Sequence, residues 1–300
     1  MHRETVDGFI RQAALQAADS DKANAALLEE FLRTGQETWD GAGSGSFTWA
    51  QVNEAGVHSR RAETALRVLF GLLAGLLPEE AKALPLVSPK AIRERVSPLV
   101  KGLLPADWQD VALRELSQRV FVLNFQGAKK AMEAEMSWIG NAWSILWAYF
   151  EDFHLKPDGI EIEWCGVTPG EFAHIRWSVY EPQNPYSDVV VHEAAHLLHL
   201  LKPEHFELRI KRGQERFVDV EFIHRELFAY SCEAYTRILE HGARKDRVAF
   251  AESICKAGLS FPEDVCVQVA DLILIAARSR NGWKRILEAT IEGRKKILAA

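Results

Sequence analysis

Apolar side chains recur three and four residues apart along most of this chain, and two residues apart in only one short window. Residues 4–18 and 21–34 carry apolar positions at helical spacing, among them Ala26, Leu27, Phe31 and Leu32. The pattern resumes near Trp49 and over 60–77, 89–103 and 107–122, with prolines at 78, 85, 89, 98 and 105 marking boundaries or first turns. The stretch 128–153 holds Trp138, Trp143, Trp147, Tyr149 and Phe150, an aromatic stripe expected to form core. Beyond 215 the periodicity predicts helices over 217–241, 244–257, 262–280 and 282–298.

The exception starts after the turn signal Lys156-Pro157-Asp158-Gly159. Residues 160–164 alternate apolar and charged side chains, and 172–180 alternate again. In the second run Phe172, His174, Arg176 and Ser178 face one way, and Ala173, Ile175, Trp177 and Val179 the other. Thr168-Pro169-Gly170 is a tight turn, so the two runs predict a hairpin that Pro182 and Pro185 end. Ser187 or Asp188 then caps a helix that runs until Pro203. The expected fold is mainly α with a small β-hairpin or sheet: a helical region over 1–155, then a second region over 156–300. Gly41-Ala42-Gly43-Ser44-Gly45-Ser46 is expected to be a mobile loop.

Composition narrows the function classes. A chain of 300 residues is one or two domains and can bury a core without a disulfide or metal to hold it. With 48% hydrophobic and 26% charged residues, long disorder, collagen and coiled coil are excluded. A net charge of −6 argues against nucleic acid as a partner. The longest apolar stretch, 68–77, is about half of what a membrane-crossing helix needs, so no membrane is expected. The N-terminus lacks the apolar run of a secretory signal. Cys165, Cys232, Cys255 and Cys266 form no C-x-x-C pair, and a cytoplasmic location is expected.

Chemistry concentrates in Val189-Val190-Val191-His192-Glu193-Ala194-Ala195-His196-Leu197-Leu198. On a helix His192 and His196 share one face a turn apart, so both imidazoles can hold one Zn²⁺ at about 2.0–2.1 Å. Glu193, beside the first histidine, ligates poorly with it and is placed to take a proton from a metal-bound water. His199 continues the face but is carried away from the metal, and is expected to pack or to touch a ligand. A catalytic zinc wants three protein ligands. Glu226, Tyr230 and Glu233 fall at i, i+4 and i+7 on one face of the next helix. Two carboxylates on a buried face are costly unless something pairs with them. One would ligate and the other hold a histidine through its free N–H; otherwise they pair with arginines such as Arg209 or Arg237.

The 189–198 run resembles the zinc-binding helix of the zincin metallopeptidases, and the downstream glutamates are similar to those of the gluzincin branch. Glu226-Leu227-Phe228-Ala229-Tyr230 resembles the N-E-G-F-A stretch of the large zinc aminopeptidases, whose glutamate binds zinc. That resemblance implies Glu226 as third ligand; Cys232-Glu233-Ala234 echoes the N-E-A of thermolysin-like enzymes more weakly. Arg225 stands where those aminopeptidases have asparagine, and Glu226 follows His196 by thirty residues, a longer separation than theirs. No G-x-M-E-N motif occurs in 172–180, and Leu197-Leu198-His199-Leu200 lacks the metzincin continuation. The resemblance covers residues 160–240 and implies an α+β zincin-like core, a metal site and a reaction type, but no particular substrate.

The function so implied is a zinc-dependent hydrolase, a metallopeptidase binding one zinc through His192, His196 and Glu226, with Glu193 as general base and a peptide or protein as substrate. Strand 172–180 is then expected to be the edge that pairs with an extended peptide. Tyr230, His224, His174 and Arg176 are the candidate donors to the oxyanion. The same His-His-Glu set also suits a non-haem iron enzyme, although Glu193 then has no task. A non-catalytic helical binding or regulatory protein with a degenerate core is the remaining reading, and the intact Glu193 argues against it.

Overall fold

A computed structural model describes residues 2–37, 49–182, 184–210, 214–243, 245–254 and 263–298. The expected loop at 41–46 and Cys255 lie outside the described residues. The elements in chain order are α1 (His2–Ala17), α2 (Lys22–Thr34), α3 (Trp49–Ala74), α4 (Glu79–Lys82), α5 (Pro89–Leu103), α6 (Ala106–Arg119), β1 (Val120–Leu123), α7 (Phe125–Ala134), α8 (Ile139–Glu151), β2 (Gly166–Val167), β3 (Ala173–Arg176), α9 (Val189–Leu200), α10 (Arg225–His241), α11 (Arg247–Ile254), α12 (Glu263–Arg278) and α13 (Gly282–Leu298). The protein is mainly α with one small sheet, as its periodicity predicts. Among the described residues no helix is long and apolar enough to cross a membrane.

The chain forms two compact units, Met1–Leu86 with Val122–Trp164, and Val87–Phe121 with Cys165–Ala300. A division after residue 155, as expected from the sequence, would leave α5 and α6 with the N-terminal helices. Packing groups them instead with the second unit, because α5 lies against α6, α9 and α13.

In the first unit α1 and α2 pack on α3, and α3 and α7 on α8. The aromatic stripe is core for Trp147, Tyr149 and Phe150, whereas Trp138 is exposed. Trp143 and Trp147 both donate their indole N–H to Leu32 O in the last turn of α2, at 2.9 and 3.0 Å. Gly35 ends that helix in the left-handed region (φ 71°), and a Cβ there would sit 2.8 Å from the Trp143 ring. Gly35→Ala is therefore expected to cost at least about 1–2 kcal/mol from backbone strain alone, read as a lower midpoint in thermal or urea unfolding.

The second unit is built around α9, which packs against α5, α10, β2 and β3. Every residue from Val190 to Leu198 is buried, His192, Glu193 and His196 among them. The sheet has the order β1-β3-β2, and β2 pairs with β3 antiparallel in the register Gly166↔Ile175 and Val167↔His174.

Four expectations change here. The hairpin is shorter: residues 160–164 join no ladder, and Trp177–Val179 is a 3₁₀ turn. The strand expected to be an edge is the middle one, with Ala173, His174 and Ile175 all buried. Alternation shows where charges stand, but a strand covered on both faces buries both sets of side chains. β1 replaces the end of the helix expected over 107–122, because a four-residue apolar run carries too few positions to separate the two periods. Finally, the helix expected from 217 starts at Arg225. Phe217 and Val218 lie in a bend, and their N–H groups bond Leu201 O and Leu198 O at 3.3 and 3.1 Å. These two apolar residues thus satisfy carbonyls at the C-terminal end of α9 rather than beginning α10.

Candidate metal centre

Asp188 fixes the start of α9. Its Oδ1 accepts the N–H groups of Val190 and Val191 at 3.0 and 3.2 Å, the N-cap arrangement. Its Oδ2 accepts from Arg95 Nε of α5 at 2.7 Å, and Arg95 Nη2 also donates to Tyr180 O at 2.7 Å. Asp188 is 1% exposed, so this pairing is what keeps its charge tolerable in the core. Burial opposes the charge on Arg95, but the Asp188 carboxylate outweighs it and holds the guanidinium protonated.

The apolar face of α10 packs on α9 and brings Glu226, Tyr230 and Glu233 to the histidines, as their i, i+4, i+7 spacing predicts. His192 Nε2 and His196 Nε2 are 3.1 Å apart, and Glu226 Oε2 lies 3.6 and 3.5 Å from them. Donors held tetrahedrally at about 2.0–2.1 Å from one zinc stand about 3.3–3.4 Å apart. The triangle therefore has the size that one such ion needs. Among the described residues this is the one group of three whose donor atoms converge in this way.

Glu233 occupies the other side of the His192 ring. Its Oε2 accepts from Nδ1 at 3.2 Å, and its Oε1 accepts the Asp188 N–H at 2.6 Å. Glu233 takes the Nδ1 side of His192, which leaves Nε2 turned to the triangle, where it could ligate an ion that displaced its proton. His196 Nδ1 meets His199 Nε2 at 3.0 Å, so His199 touches a candidate ligand rather than joining the cluster. Glu193 is 3% exposed and lies outside the triangle, its Oε2 accepting from Thr168 Oγ1 at 2.6 Å.

The electrostatics favour a cation. Burial works against a charged His192, but its hydrogen bonds to Glu226 and Glu233 and the charge of Glu193 outweigh burial and push its pKa up to about 10. Hydrogen bonds from His192 and His196 hold the Glu226 carboxyl well below the usual carboxylate range. Burial, with the charge of His196, pushes His199 down to about 4. Burial and then the carboxylates of Glu226, Glu233 and Glu193 push the Tyr230 phenol up to about 12. Arg225 Nε lies 3.3 Å from Glu226 Oε1, but among the described residues no lysine or arginine pairs with Glu193 or Glu233. The arginine partners considered from sequence do not supply one: Arg237 pairs with Glu240 at 2.6 Å. Buried carboxylates are costly unless a cation answers them, a role that a protonated His192 takes for Glu233 and that an ion in the triangle would share.

The candidate donors separate. The Tyr230 ring lies against that of His192, with centroids 4.4 Å apart, one turn beyond Glu226. His224 stands at the N-terminus of α10 with Nδ1 3.8 Å from Glu221 Oε2, and among the described residues it makes no hydrogen bond to the cluster. His174 is fully buried and stacks on Phe121 at 5.8 Å, which makes it a core residue instead of a donor to substrate. Arg176 closes β3, with its N–H on Cys165 O. Sequence reasoning did not find Arg95 or Thr168. No local pattern marks Arg95, and Thr168 reads only as a turn residue. Comparison of the chain with protein-family models, with curated proteins and with solved structures returns no match.

Proposed function

We propose that this protein is a zinc-dependent hydrolase, a metallopeptidase, with the ion held by His192, His196 and Glu226. The observation that carries this reading is the convergence of three donor atoms from α9 and α10 while Glu193, next in the chain to a ligand, stays outside the triangle. A zinc ion held there by His192, His196 and Glu226 would supply a Lewis acid for a carbonyl and a bound water with a pKa of about 7. Glu193 takes the proton of the attacking water and returns it to the leaving amine. Tyr230, uncharged through the neutral range, offers its hydroxyl to the carbonyl oxygen as negative charge develops there. Glu233 keeps His192 in the tautomer that ligates. An extended peptide would pair with the edge of β2, which ends the sheet beside α9, and not with β3, which has a partner on each side.

Metal analysis of the purified protein, together with a library of internally quenched peptides, tests the reading. The expected result is one zinc per chain and peptide cleavage that a chelator removes and added zinc restores. Iron with an oxygen-dependent reaction would replace the peptidase by the facial-triad enzyme. A chain that takes up no metal would leave the binding-protein reading.

A further inference from the structure

The segment that passes over Glu193 is built around that one side chain. β2 is held in register by β3, and Thr168 follows it directly. A hydroxyl facing a carboxylate must donate, so Thr168 Oγ1 gives its single proton to Glu193 Oε2 at 2.6 Å. On the same side, a Cβ built on Gly166 would stand 2.6 Å from Glu193 Oε1, 2.8 Å from its Cγ and 2.9 Å from Val189 Cγ2. Gly166 is not among the described glycines with positive φ, so space and not backbone conformation calls for glycine there. One oxygen of the carboxylate is thus tethered, and the space beside the other is left by a missing side chain.

We infer that Thr168 and Gly166 are the positioning residues of Glu193: the hydroxyl of Thr168 holds Oε2, and the bare Cα of Gly166 keeps clear the place of Oε1. The name of the reaction rests on the metallopeptidase reading; the placement of the carboxylate does not. Neither residue touches the metal triangle, so their loss acts on turnover and leaves the metal alone. Thr168→Val keeps the shape and removes the donor, whereas Thr168→Ser restores the donor. Gly166→Ala meets Glu193 Oε1 and Cγ and Val189 Cγ2, so Glu193 must be pushed aside for the chain to fold.

The test measures zinc content, kcat and KM on a quenched peptide cleaved by the wild-type protein, and crystal structures of the zinc-loaded variants. Thr168→Val and Gly166→Ala are expected to keep one zinc per chain and to lose about 10–100-fold in kcat with KM within about twofold, since misplacement of a reacting group by about 1 Å costs that order of rate. Thr168→Ser is expected to recover most of the loss. Unchanged kcat in Thr168→Val, a loss carried by KM, or a serine variant as impaired as the valine one would overturn the assignment. If the wild-type protein cleaves no peptide, the peptidase reading fails on its own. The positioning role is then decided by the crystals: a Glu193 carboxylate displaced in both Thr168→Val and Gly166→Ala supports it, and one unmoved refutes it.

Discussion

Glu193→Gln is expected to leave one zinc per chain bound and to lower turnover by about 10²–10⁴-fold, the range for removing a general base. The separation of the two effects follows from geometry. The triangle consists of His192 Nε2, His196 Nε2 and Glu226 Oε2, and Glu193 contributes no atom to it. Glutamine has nearly the same shape, and its amide oxygen can still accept from Thr168, so the buried pocket around residue 193 stays filled. What disappears is the ability to take and return a proton. Zinc content by atomic absorption and kcat by peptide cleavage check the two halves independently. Loss of metal from the variant would make Glu193 a ligand, and turnover at the wild-type rate would remove it from the chemistry.

The second large effect distinguishes the two glutamates of α10. Glu226→Ala removes a donor atom, leaving two protein ligands. If zinc binding of roughly 10–16 kcal/mol is shared among about four ligands, the loss is about 2.5–4 kcal/mol, roughly 70- to 900-fold in affinity. Glu226 is only half-buried, so the stability of the protein without metal should change little. Glu233→Ala should show the reverse pattern. It leaves the triangle intact and lowers zinc affinity by about 10–100-fold through the freed His192 ring. It also strands the buried Asp188 N–H and His192 Nδ1, at about 1–3 kcal/mol for each buried group left unsatisfied. Paired zinc dissociation constants and unfolding midpoints test both statements. If Glu233→Ala proves the more damaging to zinc, the ligand assignment passes to Glu233 and the likeness to thermolysin-like enzymes replaces that to the aminopeptidases.

Much of this site is legible in local spacing. His192 and His196 one turn apart, Glu226, Tyr230 and Glu233 on one face, and an aspartate where a helix should begin are all relations within a few residues. A helix of known pitch converts such spacing directly into shared direction. The mainly helical fold and the small sheet near 160–180 follow from the same arithmetic. What it does not contain is the identity of the neighbour across a contact. Asp188 meets Glu233 across 45 residues and Arg95 across 93, and Thr168 meets Glu193 across 25. None of these pairs leaves a periodic trace. Residues 172–180 alternate as an exposed strand would, yet the partners on either side make β3 central. Phe217 and Val218 fit a helical face, yet their N–H groups go to the carbonyls of Leu201 and Leu198 and they lie outside any helix. Residues 87–121 likewise read as a continuation of the N-terminal helices, until α5 is found against α9. Periodicity determines which side of an element is apolar; which other element covers that side is settled by competition among all of them for the same core, and that takes place only in the folded chain.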